Sequence, residues 1–215
     1  GEVYNFRELR EQLQAAGVRF RSSGDAEVVL YALATWGREA LDRFNGMFAL
    51  ALFDSAEQSL LLARDHAGIK PLYYSHTHDG VVFGSQYNQI MNHPWNREAQ
   101  PSATGLRLYL QCGLIPAPHG LLKNTYAVEP GQWVQFRPGK NTNRGFYYCF
   151  PKDSQSELRG PEAIDALDQA VSRAVGRCLI SDVPVGCFLS GGIDSPVVAT
   201  KMHAHVGSVS AFTIG

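Results

Sequence analysis

The sequence lacks what a membrane or extracellular protein would carry. Its longest plainly apolar run, residues 47–53, is far below the roughly 20 residues that cross a bilayer, and no secretory leader pattern opens it. Cysteine is sparse and scattered: Cys112, Cys149, Cys178 and Cys187 form no C-x-x-C pair and have no histidine beside them at ligand spacing. That excludes a zinc module and a disulfide framework and leaves four free thiols, expected to be buried. Excess charge of either sign is missing too. Lys and Arg total 19 against 20 Asp and Glu, a net charge of -1, so neither a nucleic-acid footprint nor charge-driven disorder is expected. There is no internal repeat and no low-complexity tract. Methionine does not open the chain, which runs from Gly1 to Gly215; it reads as a fragment cut at both ends, from a soluble cytoplasmic protein with no nucleic-acid or membrane partner.

What is present is enough for a core. At 215 residues, 45% of them hydrophobic, the chain is long enough for one domain or two. Asn5, with Glu8 three residues on, marks the start of a helix by a capping-box arrangement, and Gly17 marks its end. Phe6, Leu9 and Leu13 give that helix one inward face. Residues 22–25 open a second helix that runs to Trp36, with Val29, Leu33 and Trp36 expected inside. From Asn45 the pattern becomes extended. Residues 47–53, 60–63, 69–74 and 81–83 are short runs between turns, which predicts adjacent antiparallel strands, the first covered on both faces. A short helix over 86–91, a Pro- and Gly-rich stretch over 113–120 and a strand over 132–136 complete the first unit.

Residues 150–160 read as a linker. Beyond it Ile164, Leu167, Val171, Val175 and Leu179 predict a helix with an inward stripe. A strand over 183–189, buried on both faces, a helix from Pro196 to His205 and a strand over 209–214 predict a βαβ unit. Between its first strand and its helix lies Leu189-Ser190-Gly191-Gly192-Ile193-Asp194-Ser195-Pro196. A Gly pair lets a ligand approach the backbone, and the free N–H groups of a helix start favour a phosphate. Asp194 or Ser195 would serve as N-cap and Pro196 as the first helical residue. The same residues also suit an ordinary strand-to-helix turn, and no Lys follows in the G-x-x-x-x-G-K-[ST] spacing of the common NTP loop.

The loop resembles the S-G-G-x-D-S pyrophosphate loop of ATP pyrophosphatases that adenylate a carboxylate. Further motifs resemble the asparagine synthetase (glutamine-hydrolysing) family: Gly1-Glu2-Val3-Tyr4-Asn5, Asn45-Gly46-Met47-Phe48-Ala49, Leu62-Ala63-Arg64-Asp65 with Gly68-Ile69-Lys70-Pro71-Leu72-Tyr73-Tyr74, and residues 181–189 before the loop. Four motifs in the family's order cover nearly the whole chain. The resemblance implies α+β then α/β: an incomplete N-terminal-nucleophile αββα sandwich at 1–148, a class II glutamine amidotransferase domain. The first βαβ of a Rossmann-like ATP pyrophosphatase domain would follow at 155–215.

The implied reaction takes aspartate, glutamine and ATP to asparagine, glutamate, AMP and pyrophosphate, with ATP and Mg as cofactors, small-molecule substrates as partners and a homodimer as the assembly. The family's nucleophile is a Cys at the mature N-terminus; none stands here, so these residues alone are expected to show no glutaminase activity. The resemblance places Gly1, Glu2 and Asp25 at glutamine, with Asp25 on its α-amine, although Asp25 is equally well placed as a helix cap. It places Leu189, Ser190, Gly191, Gly192, Asp194, Ser195 and Ile214 at ATP and pyrophosphate, with Asp194 as a possible Mg ligand. Ser85-Gln86 departs from the family's Ser-Glu. Arg64, Asp65 and Lys70 read as rim charges on an Asp-x-x-Gly turn. A related amide-forming enzyme of the β-lactam synthetase type, or an inactive nucleotide- or glutamine-binding module, would share much of this pattern.

Overall fold

The computed structural model describes residues 1–152, 157–181 and 183–214. The chain divides into two compact units, Gly1–Phe150 and Pro151–Gly215. Part of the predicted linker, residues 153–156, lies outside the described residues, as do Asp182 of the predicted approach to the loop and Gly215.

In the first unit β1 (Glu2–Val3) leads into α1 (Phe6–Ala15) and α2 (Asp25–Trp36), followed by a 3-10 segment, Gly37–Arg43. The strands that follow pair antiparallel. β2 (Gly46–Met47) pairs with β1, and β3 (Ala49–Asp54) with β4 (Ser59–Arg64). β5 (Tyr73–Thr77) pairs with β6 (Gly80–Gly84), and then come α3 (Tyr87–Met91), α4 (Ala103–Cys112), β7 (Thr125–Ala127), β8 (Gln132–Phe136) and β9 (Asn143–Phe146). The strands form two antiparallel sheets, β3-β4-β8-β9 and β6-β5-β7.

Alternation along β4 and β8 explains the layering. Leu61 and Ala63 point to one face and join Leu9, Leu13, Val28, Ala32 and Leu33 of the helices in one core. Leu62, Val134 and Phe136 point to the other and join Tyr74 of the second sheet and Leu72 and Val128 beside its strands in another. On the far side of that sheet Ser75 is fully buried and accepts a hydrogen bond from Asn96 Nδ2, which also reaches Ile90 O at the end of α3. The order is therefore helix, sheet, sheet, helix.

Several expectations are corrected here. Asn5 makes no side-chain cap; it bonds Arg43 O and Asn45 N instead, tying the helix start to the strand beside it. Asp25 is the first residue of α2 and not its cap, and the buried positions of that helix are Val28, Ala32 and Leu33. Leu33 is buried as expected, and Val29 and Trp36 lie on the same face, between Val28 and Leu33 around the helix, where they are half-buried and packed against the same core. Residues 69–72 are not strand, and β4 and β5 belong to different sheets. β3 is an edge strand with Phe53 59% exposed, because no neighbour covers its outer side.

In the second unit α5 (Gly160–Cys178), β10 (Gly186–Phe188), α6 (Asp194–Val206) and β11 (Ser210–Phe212) follow in order. The two strands are parallel, Cys187 opposite Ala211, with α6 as the crossover, so the predicted βαβ forms. Its strands are shorter than expected and not covered on both faces: Phe188 is 78% exposed. The stripe of α5 is only half covered too. Ile164 and Leu167 are exposed while Val171, Val175 and Leu179 are half-buried; α6 reaches α5 at Asp168, Ser172 and Gly176, through Lys201 and His205. The cysteines are not buried as expected: Cys112, Cys149 and Cys178 are exposed and Cys187 half-buried.

Candidate functional site

The predicted residues fall into two sets, one in each unit. The first lies on β1. Val3 N–H donates to Asp25 Oδ2 at 2.9 Å, so the start of α2 is fastened to β1 and Gly1, Glu2 and Asp25 come together across 22 positions of sequence. Gly1 and Glu2 are exposed and Asp25 half-buried. A methyl group on Gly1 would come within 2.8 Å of Met47 O and 2.9 Å of Phe48 Cα, so the Met47–Phe48 peptide is the floor beneath it. Glycine is required at Gly46 as well, where a side chain would strike Glu2 O and approach Val3 Cα to 2.8 Å. Glu27 serves the loop before α2: it accepts from Arg21 N, Ser22 N and Ser22 Oγ, bonds that hold its carboxyl below the usual range, that from the Ser22 hydroxyl first.

Behind β1 and β2 stand residues that the sequence reading left as rim charges. Arg64 donates to Lys70 O, Val128 O and Gly68 O, and Asp65 is completely buried. Tyr147 donates its hydroxyl to Arg64 O at 2.7 Å, and burial pushes its phenol well above the ordinary value, with the Asp65 and Asp42 carboxylates adding to the effect. Rings continue the contact: Phe44 meets Phe48 edge-on, Phe48 stacks on Tyr147, and His66 meets Tyr147 and Tyr148. The only forward signal for this cluster was the Asp-x-x-Gly spacing.

Burial lowers the His66 imidazole below its ordinary 6.5, while Asp65 and Asp42 pull it up. A histidine depressed by folding takes up its proton more readily when unfolded, so its contribution is complete above about pH 6.5 and is lost as pH falls below that. Thermal unfolding is therefore expected at lower temperature at pH 5 than at pH 7. His66→Phe, which keeps a ring against Tyr147, should flatten that dependence; an unchanged slope in the variant would remove His66 as its source.

The second place is the loop between β10 and α6. Ser190 N–H donates to Ser195 Oγ at 2.9 Å, the two hydroxyls lie 2.9 Å apart, and Gly192 N–H reaches Ser190 Oγ at 3.3 Å. The loop is thus held by its own serines. Neither Asp194 nor Ser195 is the N-cap: Ile193 precedes the helix, Asp194 and Ser195 are its first two residues, and Pro196 is the third. Ser195 is drawn back across the loop by Ser190, which is why it does not cap. Pro196 still sits where no helical acceptor awaits an N–H.

Gly191 has open space where a side chain would be, and Gly192 meets only Ser190 Oγ, at 3.4 Å. The open side of the Gly pair is therefore free for an anion beside the first N–H groups of α6. Leu189 N–H donates to Phe212 O at 2.7 Å, which locks the loop's entry to the second strand. Ile214, just past that strand, is 91% exposed. Among the described residues no three His, Cys, Asp or Glu side chains cluster to hold a metal, and no helix is long and apolar enough to cross a membrane. Asp194 alone fits Mg²⁺ only if phosphate oxygens supply most of the remaining ligands.

The model of the glutamine amidotransferase domain matches residues 1–148 and that of asparagine synthase residues 166–215. Asparagine synthetase [glutamine-hydrolyzing] 1 of Bacillus subtilis is 35% identical over 216 residues, covering 100% of this chain and 34% of its own. Asparagine synthetase [glutamine-hydrolyzing] 3 of the same bacterium is 33% identical over 95% of this chain and 33% of its own. A putative asparagine synthetase [glutamine-hydrolyzing] 2 of Methanocaldococcus jannaschii is 31% identical over 100% of this chain and 42% of its own. The chain thus spans about a third of the length of the Bacillus relatives it matches.

Proposed function

The chain belongs to the glutamine amidotransferase domain family, and from that premise we propose that it is part of a glutamine-hydrolysing asparagine synthetase. The parent protein would hydrolyse glutamine in the first unit and use ATP to activate aspartate in the second, giving asparagine, glutamate, AMP and pyrophosphate. The carrying observation is that one chain joins an amidotransferase unit to a parallel strand, a Ser-Gly-Gly loop and a helix, matched in that order by the two family models. On this reading the helix–sheet–sheet–helix unit is an N-terminal-nucleophile sandwich over 1–148, and residues 155–215 begin a Rossmann-like ATP pyrophosphatase domain.

Each site residue then has a role. Gly1 and Glu2 line the glutamine pocket, where the absence of a side chain on Gly1 keeps the backbone close to the floor formed by Met47 and Phe48. Asp25 receives the α-ammonium of glutamine while its Oδ2 holds Val3 N–H. In the second unit the Gly191 and Gly192 backbone, with Ser190 and Ser195, holds the pyrophosphate of ATP, and Leu189 and Ile214 flank the nucleotide. Asp194 would hold Mg²⁺, which supplies charge neutralisation between the phosphates; without the ion its carboxylate would repel them.

The ammonium contact is open to test in the full-length enzyme. Asparagine in place of Asp25 can still accept from Val3 N–H but carries no charge, so a charge-assisted bond worth about 1.5–3 kcal/mol is lost. The KM for glutamine is expected to rise about 10- to 150-fold, with ammonia-supported asparagine formation unchanged. An unaltered glutamine KM would remove Asp25 from the pocket, and an enzyme that forms no pyrophosphate with aspartate would overturn the synthetase reading.

A further inference from the structure

The Asp65 side chain is fully buried, and both of its oxygens are used twice. Oδ1 accepts from Ala67 N at 3.2 Å and Ile69 N at 2.8 Å; Oδ2 accepts from Lys70 N at 2.9 Å and Phe48 N at 3.2 Å. Its own N–H donates to Phe48 O at 2.8 Å, and its carbonyl accepts from Gly68 N and Gly131 N. Neither ion pair found among the described residues includes it. A buried carboxylate without a cation persists only where hydrogen bonds replace its water, and here four backbone donors do so.

Three of those donors belong to the turn that follows Asp65, and a turn would need no more. The fourth lies 17 residues back, on the junction of β2 and β3. Phe48 is thereby held at both its N–H and its C=O by one residue. The Met47–Phe48 peptide is also the surface on which Gly1 rests, while Met47 is paired with Glu2 and Gly46 with Val3. Val3 in turn holds Asp25.

We propose that Asp65 is a positioning residue for the glutamine pocket, fixing the Met47–Phe48 floor and through it Gly1, Glu2 and Asp25. The inference rests on the glutamine-site reading of those three residues. Only a carboxylate can fill the place: an amide has one acceptor oxygen, so it abandons two of the four donors and turns its NH2 group against them. The Arg64 side chain supplies an internal comparison, since it binds Gly68 O, Lys70 O and Val128 O around the same turn but does not bond to Phe48.

The test measures glutamine KM, kcat for hydrolysis and ATP–pyrophosphate exchange in the full-length enzyme. Asp65→Asn is expected to raise glutamine KM by about 5-fold or more, with kcat and exchange each within about 2-fold. Arg64→Lys should leave glutamine KM unchanged. If Asp65→Asn does not yield folded protein, Asp65→Glu keeps the acceptors but moves them by one methylene, and is expected to raise KM by about 3-fold or more.

An unchanged KM in the Asp65 variant, or an equal rise in Arg64→Lys, would overturn the proposal, because the floor would then not depend on the bond to Phe48. A wild-type enzyme that shows no saturable glutamine hydrolysis would instead overturn the glutamine-site reading on which it rests.

Discussion

In the full-length enzyme, Gly192→Val is expected to lower ATP–pyrophosphate exchange by about 100-fold or more while leaving glutamine hydrolysis within about 2-fold. The backbone at Gly192 is not in the left-handed region, and the only atom a side chain would meet there is Ser190 Oγ at 3.4 Å. Valine therefore fits the fold; what it removes is the open side of the Gly pair, where its methyl groups would stand in the path of a phosphate approaching the N–H groups of α6. The melting temperature should move by no more than about 2–4 °C, the shift that 1 kcal/mol produces in a chain of this size. Exchange that survives would show that the anion does not bind on that side of the loop. Equal loss of exchange and hydrolysis would trace the effect to folding.

Gly46→Ala is expected to act in the opposite sense, on stability first. Its methyl would collide with Glu2 O, stand 2.8 Å from Val3 Cα and meet the Glu2 carbonyl carbon at 3.0 Å. All three are backbone atoms of β1, so no side-chain rotation relieves the contact and the two strands must separate. A destabilisation of about 3 kcal/mol is expected, or about 6–12 °C in melting temperature, with glutamine hydrolysis lost at temperatures where the protein remains folded. Gly24→Ala is the control, since nothing lies within 4 Å of a side chain there; it should cost less than about 1 kcal/mol. Similar melting curves for the two variants would mean that β1 and β2 yield easily and are not a fixed floor.

Elements whose own residues carry a period were legible in the sequence: α1 with Leu9 and Leu13, the β3–β4 and β5–β6 hairpins, and the crossover of α6 between two strands. What escaped depends on partners remote in sequence. α4 went unassigned because its buried residue is Gly105, while Leu106, Tyr109 and Leu110 face outward, so no inward stripe exists to be read. β7 and β9 are short strands defined by β5 and β8 beside them.

The site divides in the same way. Glycines and serines in a fixed spacing announce the loop of the second unit, but its internal bonding, Ser190 to Ser195, was read as helix capping because both uses demand the same hydroxyl. Asp65 was taken for a rim charge since Asp-x-x-Gly is a turn in any context. Its burial follows from Phe48, and no local pattern carries that information.

The two-unit division sets what spectroscopy can observe. All three tryptophans and all nine tyrosines fall within the first 150 residues, with Arg43 over Trp36 and Arg38 over Trp133. Emission and near-ultraviolet dichroism of this chain therefore follow the amidotransferase unit almost alone, and the loop over residues 190–195 could melt or take up a ligand without a change in either signal. Far-ultraviolet dichroism, in which α5 and α6 contribute, or a Phe212→Trp variant at the exposed end of β11, would make the second unit visible and show whether the two unfold in one transition or in two.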